Sequence, residues 1–246
     1  PKADCLLLVD VRSEVQTPIH SLVRRAVRSN GAKLIVVNFD EDPLGNKADV
    51  WLRPRLSAKF FLLEAISKAV RGEEVDLDSI ARDSEEEIEK LRLAIKIIGG
   101  AKRCIVIYGE DFVRAGGSRA VNSIFEIAKR KGKINDKFGL ISVKPRSNSV
   151  GASRLGVTSA QAIQLGKGSR IGYLMLGDDD YPDTKIADLK KLDFLIVQCA
   201  YHSPITSIAD VVIPATTWLE RGGYCVSSEG QRRLTKSILE PRVCIK

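Results

Sequence analysis

The polar residues that could do chemistry in this chain sit where short apolar runs end. Asp10 follows Cys5-Leu6-Leu7-Leu8-Val9, Asn38-Phe39-Asp40 follows Leu34-Ile35-Val36-Val37, and Gly109-Glu110 follows Ile105-Val106-Ile107-Tyr108. Gly177-Asp178 and Gln198 close two later runs. In an open parallel sheet such ends converge on one edge, where ligands bind. Amides and carboxylates there take ribose hydroxyls or base edges, and glycines let backbone approach phosphate. Turns of any α/β protein also need polar residues at these points, and from spacing alone that plainer reading leads. The sequence has no GxGxxG, no Walker motif and no GxSxG, and His20 and His202 have no evident acid–base partner. The five cysteines, Cys5, Cys104, Cys199, Cys225 and Cys244, show neither a CxxC nor zinc spacing. Cys5 and Cys104 lie inside apolar runs and are expected to be buried thiols, which fits a reducing, cytoplasmic setting.

The elements that must position these residues alternate. Strands are expected at residues 5–9, 33–37, 49–52, 103–108, 138–143, 171–176, 194–198 and 211–213. Helices are expected at 18–30, 57–70, 118–130 and 184–191, from apolar residues at helical spacing such as Ile19, Leu22, Val23, Ala26 and Val27. Ser84-Glu85-Glu86-Glu87 reads as a capping box for a further helix carrying Ile88, Leu91, Ile95 and Ile98. Residues 72–83 read as a connector with at most a short helix, and residues 144–154 as a Ser/Asn-rich loop. Pro214 is expected to end its strand. Alternating strands and helices predict the α/β class with doubly wound, mostly parallel sheets. Eight or nine strands exceed one mononucleotide-type half, so two lobes are expected, 1–143 and 171–246, joined by 144–170.

Composition bounds the rest. Net charge is +8, but Lys and Arg are spread along the chain and aromatics do not interleave with them, which argues against nucleic acid as a partner. No apolar run of about 18 residues exists to enter a membrane. The chain starts at Pro1 and reaches strand residues almost at once, which reads as a start inside a longer protein.

One stretch carries a resemblance. Residues 209–233 read ADVVIPATTWLERGGYCVSSEGQRR. This resembles the "ADVVLPAxxxxEkdGtfxNxEgR" signature of the molybdopterin oxidoreductase superfamily, which includes formate dehydrogenase alpha subunits and the G subunit of NADH:quinone oxidoreductase. Weaker blocks follow the family's order. They are residues 32–37 with Ala48-Asp49-Val50-Trp51-Leu52, then Ile107-Tyr108-Gly109-Glu110, then 192–198. The resemblance implies two Rossmann-like lobes of the molybdopterin oxidoreductase type. It also implies a dinucleotide edge made from Asn38, Lys144, Asn148, Gly151, Gly177, Asp178, Gln198 and Glu229, if pterin is bound.

Departures from the family pattern cluster at that edge. Where the resemblance implies a "GxNP" turn, the chain has Asp10-Val11-Arg12-Ser13. Where it implies "DPR", the chain has Asn38-Phe39-Asp40, and the turn after the third strand is Pro54-Arg55-Leu56-Ser57. The pterin loop survives only as Lys144, Asn148 and Gly151. Each lost charge-assisted hydrogen bond is worth about 1.5–3 kcal/mol. These losses point to a cofactor-free scaffold of the complex I G-subunit type. Its partners would be other redox subunits or an upstream iron–sulfur region. The alternative is part of a working molybdenum or tungsten bis-pterin oxidoreductase such as formate dehydrogenase, holding molybdopterin guanine dinucleotide. In either case no catalytic residue or metal ligand is expected within this segment, and iron–sulfur clusters are expected only outside it.

Overall fold

The computed structural model describes the chain apart from residues 1–2, 13–16, 132, 135–136, 145–147, 158–168, 180, 182–185, 228–229 and 242–246. The chain divides into two compact units, Pro1–Pro145 and Arg146–Lys246.

The first unit runs β1 (Cys5–Val9), α1 (Thr17–Asn30), β2 (Lys33–Val37), β3 (Val50–Leu52), α2 (Lys59–Arg71), α3 (Leu77–Ser84), α4 (Ile88–Gly100), β4 (Cys104–Gly109) and α5 (Glu110–Lys131). Two short strands, β5 (Lys133–Ile134) and β6 (Lys137–Phe138), form an antiparallel pair before β7 (Leu140–Val143). The remaining five strands form one parallel sheet in the order β3-β2-β1-β4-β7. All five residues of β1 are buried. That is why it reads as an unbroken apolar run, as central parallel strands do. Its side chains still alternate between two cores. Cys5, Leu7 and Val9 pack with Leu62, Ile66, Leu91 and Ile124 of α2, α4 and α5. Leu6 and Leu8 pack with Leu34, Val36 and Val23 on the α1 side. Cys5 and Cys104 stand opposite each other on β1 and β4 as buried free thiols. The hydrogen bond with Cys5 and burial push the Cys104 thiol well above its ordinary range, so it is kept in the unreactive thiol form. Strand order reverses at β1, which puts the topological switch point at the ends of β1 and β4.

The second unit contains α6 (Ser149–Arg154), β8 (Ile171–Gly177), α7 (Ile186–Leu189), β9 (Phe194–Cys199), β10 (Val211–Pro214), β11 (Gly223–Val226) and β12 (Arg232–Thr235). β10-β9-β8 is a parallel sheet and β11–β12 an antiparallel hairpin. Its core gathers Leu189, Leu195, Val197, Cys199 and Ile205.

Several expectations are corrected. Ser84 does not open a helix. It ends α3, its hydroxyl donates to the Ile80 carbonyl at 2.6 Å, and Glu85 follows in the left-handed region. α4 starts behind Glu87 with no side-chain cap. Residues 149–154 are helical rather than loop. The helix expected from residue 118 is continued backwards to Glu110 across a kink at Gly117. Pro214 stays in the ladder opposite Cys199, because β10 is an edge strand and its missing N–H faces no neighbour.

Candidate functional site

A cleft of about 540 Å³ opens at the switch point of the first unit. Five acids line it, Asp10, Asp40, Glu41, Asp42 and Asp111, against two bases, Arg12 and Lys59. Both bases already face an acid. Lys59 Nζ donates to Asp10 Oδ2, and the two side chains are only 5% and 15% exposed. Arg12 lies 3.8 Å from Asp111, with both side chains in solvent.

Local geometry fixes this pair. The chain leaves β1 through Asp10 at φ 49°, a left-handed conformation that Asp adopts more readily than most residues. Its N–H donates to the Val37 carbonyl at 3.0 Å. A Cβ on Gly109 would lie 1.9 Å from the Asp10 carbonyl oxygen, so only glycine fits where β4 closes on the β1 turn. Lys59 reaches in from the first turn of α2. Burial pushes the Asp10 carboxyl upward. The Lys59 hydrogen bond and charge work against it, and the carboxylates of Asp111 and Asp40 work with it; the net direction is up.

Asn38 also lines the cleft, but its Oδ1 accepts from Trp51 Nε1 at 2.8 Å and its N–H donates to the Leu52 carbonyl at 3.1 Å. Asp42 Oδ1 accepts from the Leu44 N–H at 2.8 Å. Lys144 follows β7, half-buried.

In the second unit, Gly177 turns at φ 62° and presents Asp178 to the segment after β10. Asp178 Oδ2 accepts from the Trp218 N–H at 2.8 Å, and its Oδ1 accepts from Arg221 Nη2 at 2.7 Å. Asn148 Oδ1 accepts from the Val226 N–H at 2.9 Å, and Gly151 packs so closely on Asn148 that a Cβ would lie 2.3 Å from that oxygen. Gln198 Oε1 accepts from the Tyr173 hydroxyl at 2.7 Å. The strand ends thus carry Asn38 in one unit and Asp178 and Gln198 in the other, where Asn148 stands just before α6, and each has a partner from its own unit. Glu229, like Ser13, Arg146, Ser147, Asp180 and Cys244, lies outside the described residues. Among the described residues no group of three or more His, Cys, Asp and Glu could hold a metal ion, and no helix is long and apolar enough to cross a membrane.

Lys59 was not among the expected site residues. The signal for it is in the sequence: it stands in phase with Leu62, Leu63, Ile66 and Val70, on the face that α2 buries.

Comparison with known proteins agrees with this architecture. The F420-dependent formate dehydrogenase subunit alpha of Methanocaldococcus jannaschii is 24% identical over 97% of this chain and 45% of its own length. The NADH-quinone oxidoreductase G subunit of Pseudomonas fluorescens is 30% identical over 73% of this chain and 19% of its own length. The chain therefore spans less than half the length of these relatives. Among solved structures, acetylene hydratase from Pelobacter acetylenicus superposes with a TM-score of 0.66, covering 98% of this chain and 45% of that one at 14% identity, a likeness of fold. Residues 1–246 match the family described as molybdopterin oxidoreductase. With two parallel α/β sheets whose strand ends carry the polar residues, the chain belongs to the molybdopterin oxidoreductase family.

Proposed function

We propose that this chain is the molybdopterin-oxidoreductase-like part of an NADH dehydrogenase protein of the G-subunit type, a cofactor-free scaffold that docks redox subunits of a cytoplasmic electron-transfer complex. Relatives of several kinds match the chain, and the formate dehydrogenase alpha subunit of Methanocaldococcus jannaschii is matched over more of it than the G subunit is, so the reading rests on the site. The observation that carries it is that Asn38, Asn148, Asp178 and Gln198 each spend a side-chain oxygen on an internal donor. Trp51, Val226, Arg221 and Tyr173 hold these oxygens in place, so a dinucleotide would have to share them with an internal donor rather than take them alone. A pyrophosphate-bearing pterin also does not fit the cleft of the first unit, where acids outnumber bases and both bases are paired. Two unit charges 4 Å apart interact by about 4 kcal/mol at an effective dielectric of 20, so added phosphates meet a repulsive wall.

The test is elemental analysis of the intact native protein or complex for molybdenum and tungsten, with fluorescence detection of released pterin. Neither metal and no pterin are expected. Stoichiometric metal together with pterin would overturn the reading in favour of the formate-dehydrogenase-like enzyme.

A further inference from the structure

We infer that Asp10 is a built-in occupant of the anion position at the switch point of the first unit. Its carboxylate takes Lys59 and so closes the cleft to pyrophosphate-bearing ligands. This deepens the cofactor-free reading and rests on it.

Three observations meet at Asp10. It stands where strand order reverses, the place at which open α/β sheets hold anionic ligands. The cation that would meet such a ligand is Lys59, on the first turn of α2, where the helix dipole also favours negative charge. That cation is buried and already bonded to Asp10 Oδ2. Asp10 itself adopts φ 49°, a backbone conformation that a glycine would take without strain. The turn therefore has a backbone shape that glycine adopts freely, and the side chain it carries instead sets a carboxylate against the buried Lys59. Asp40 and Asp111, which also line the cleft, add negative charge around it.

The consequence is that one substitution should open the position. In Asp10→Gly the carboxylate is gone, the backbone conformation is retained, and Lys59 is left to face the cleft. Asp10→Asn is the milder companion, keeping a polar partner for Lys59 while removing the charge.

The probe is inorganic pyrophosphate, titrated calorimetrically and by thermal melt into the full chain at fixed ionic strength, with sulfate as a control. Wild type should show no saturable binding and no rise in Tm. Asp10→Gly should bind pyrophosphate saturably, at least tenfold more tightly than the weakest affinity the wild-type titration would have detected, and rise in Tm with ligand, since ligand binding to the native state stabilises it. Adding Lys59→Met to Asp10→Gly should abolish the gain. If Asp10→Gly does not fold, Asp10→Asn carries the test through the same Tm shift. Folded variants that gain no pyrophosphate binding would overturn the role given to Asp10 while leaving the cofactor-free reading in place. Saturable binding by wild type, lost on Lys59→Met, would overturn the inference. Pterin found in the native protein would overturn the reading beneath it.

Discussion

Lys59 is a charged residue in phase with an apolar stripe, and its burial is tolerated because Asp10 meets it. Removing one partner of a buried pair leaves an uncompensated charge, a loss of about 3 kcal/mol. Lys59→Met is therefore expected to lower unfolding stability by about that amount near neutral pH. The sign with pH follows from Asp10. Its folded pKa is raised by burial, and Lys59→Met removes the contributions that oppose the rise. The folded state then holds a proton that the unfolded chain releases, so stability falls as pH rises from the ordinary carboxylate range through the raised value. Urea unfolding at pH 5 and pH 8 should show a larger deficit for the variant at the higher pH; a deficit independent of pH would mean that Asp10 does not titrate in that window. At this scale the sequence was partly legible. Asp10 at the end of the first apolar run is visible in the residues, and the family resemblance marks it as an acid where the pattern has glycine. The partners of Asn38 and Asp178 are not, because Trp51 and Arg221 are brought to them by tertiary packing across neighbouring strands and loops.

At the level of elements, apolar runs and helical spacing located the central strands and the long helices, since buried parallel strands and amphipathic helices leave strong periodic marks. The errors fall where a local signal had two uses. Ser84 followed by acids looks like a start signal, yet its hydroxyl bonds backward to Ile80 and ends a helix, a known competing habit of serine. β12, Arg232-Arg233-Leu234-Thr235, is exposed at all four positions and has a single apolar residue, so it carries no alternation to read. The loop between β2 and β3 offers a sharp test. A Cβ at Gly45 would sit 2.5 to 2.9 Å from the Trp51 ring. Gly45→Ala should push the indole away from Asn38 and destabilise the protein by about 1–3 kcal/mol. Tryptophan fluorescence should shift with it, and an unchanged spectrum and melt would show that the loop yields instead.

As a whole molecule the chain is two bodies with separate cores. The two cores of the first unit draw on residues 3–143, and that of the second on residues 174–209. A fragment ending at Pro145 is expected to fold alone with a single cooperative melt and native-like helix content by circular dichroism. A broad, non-cooperative transition would mean that its sheet needs the remainder of the chain. The cysteines give this division a chemical clock. Cys5 and Cys104 are sealed in the first sheet, Cys199 is buried in the second, and Cys225 is half-exposed on a hairpin. An alkylating reagent should modify Cys225 at once, whereas Cys199 and the Cys5–Cys104 rung must wait for their own sheets to open. Peptide-resolved alkylation rates would then time the opening of each body in the same tube, with no residue substituted.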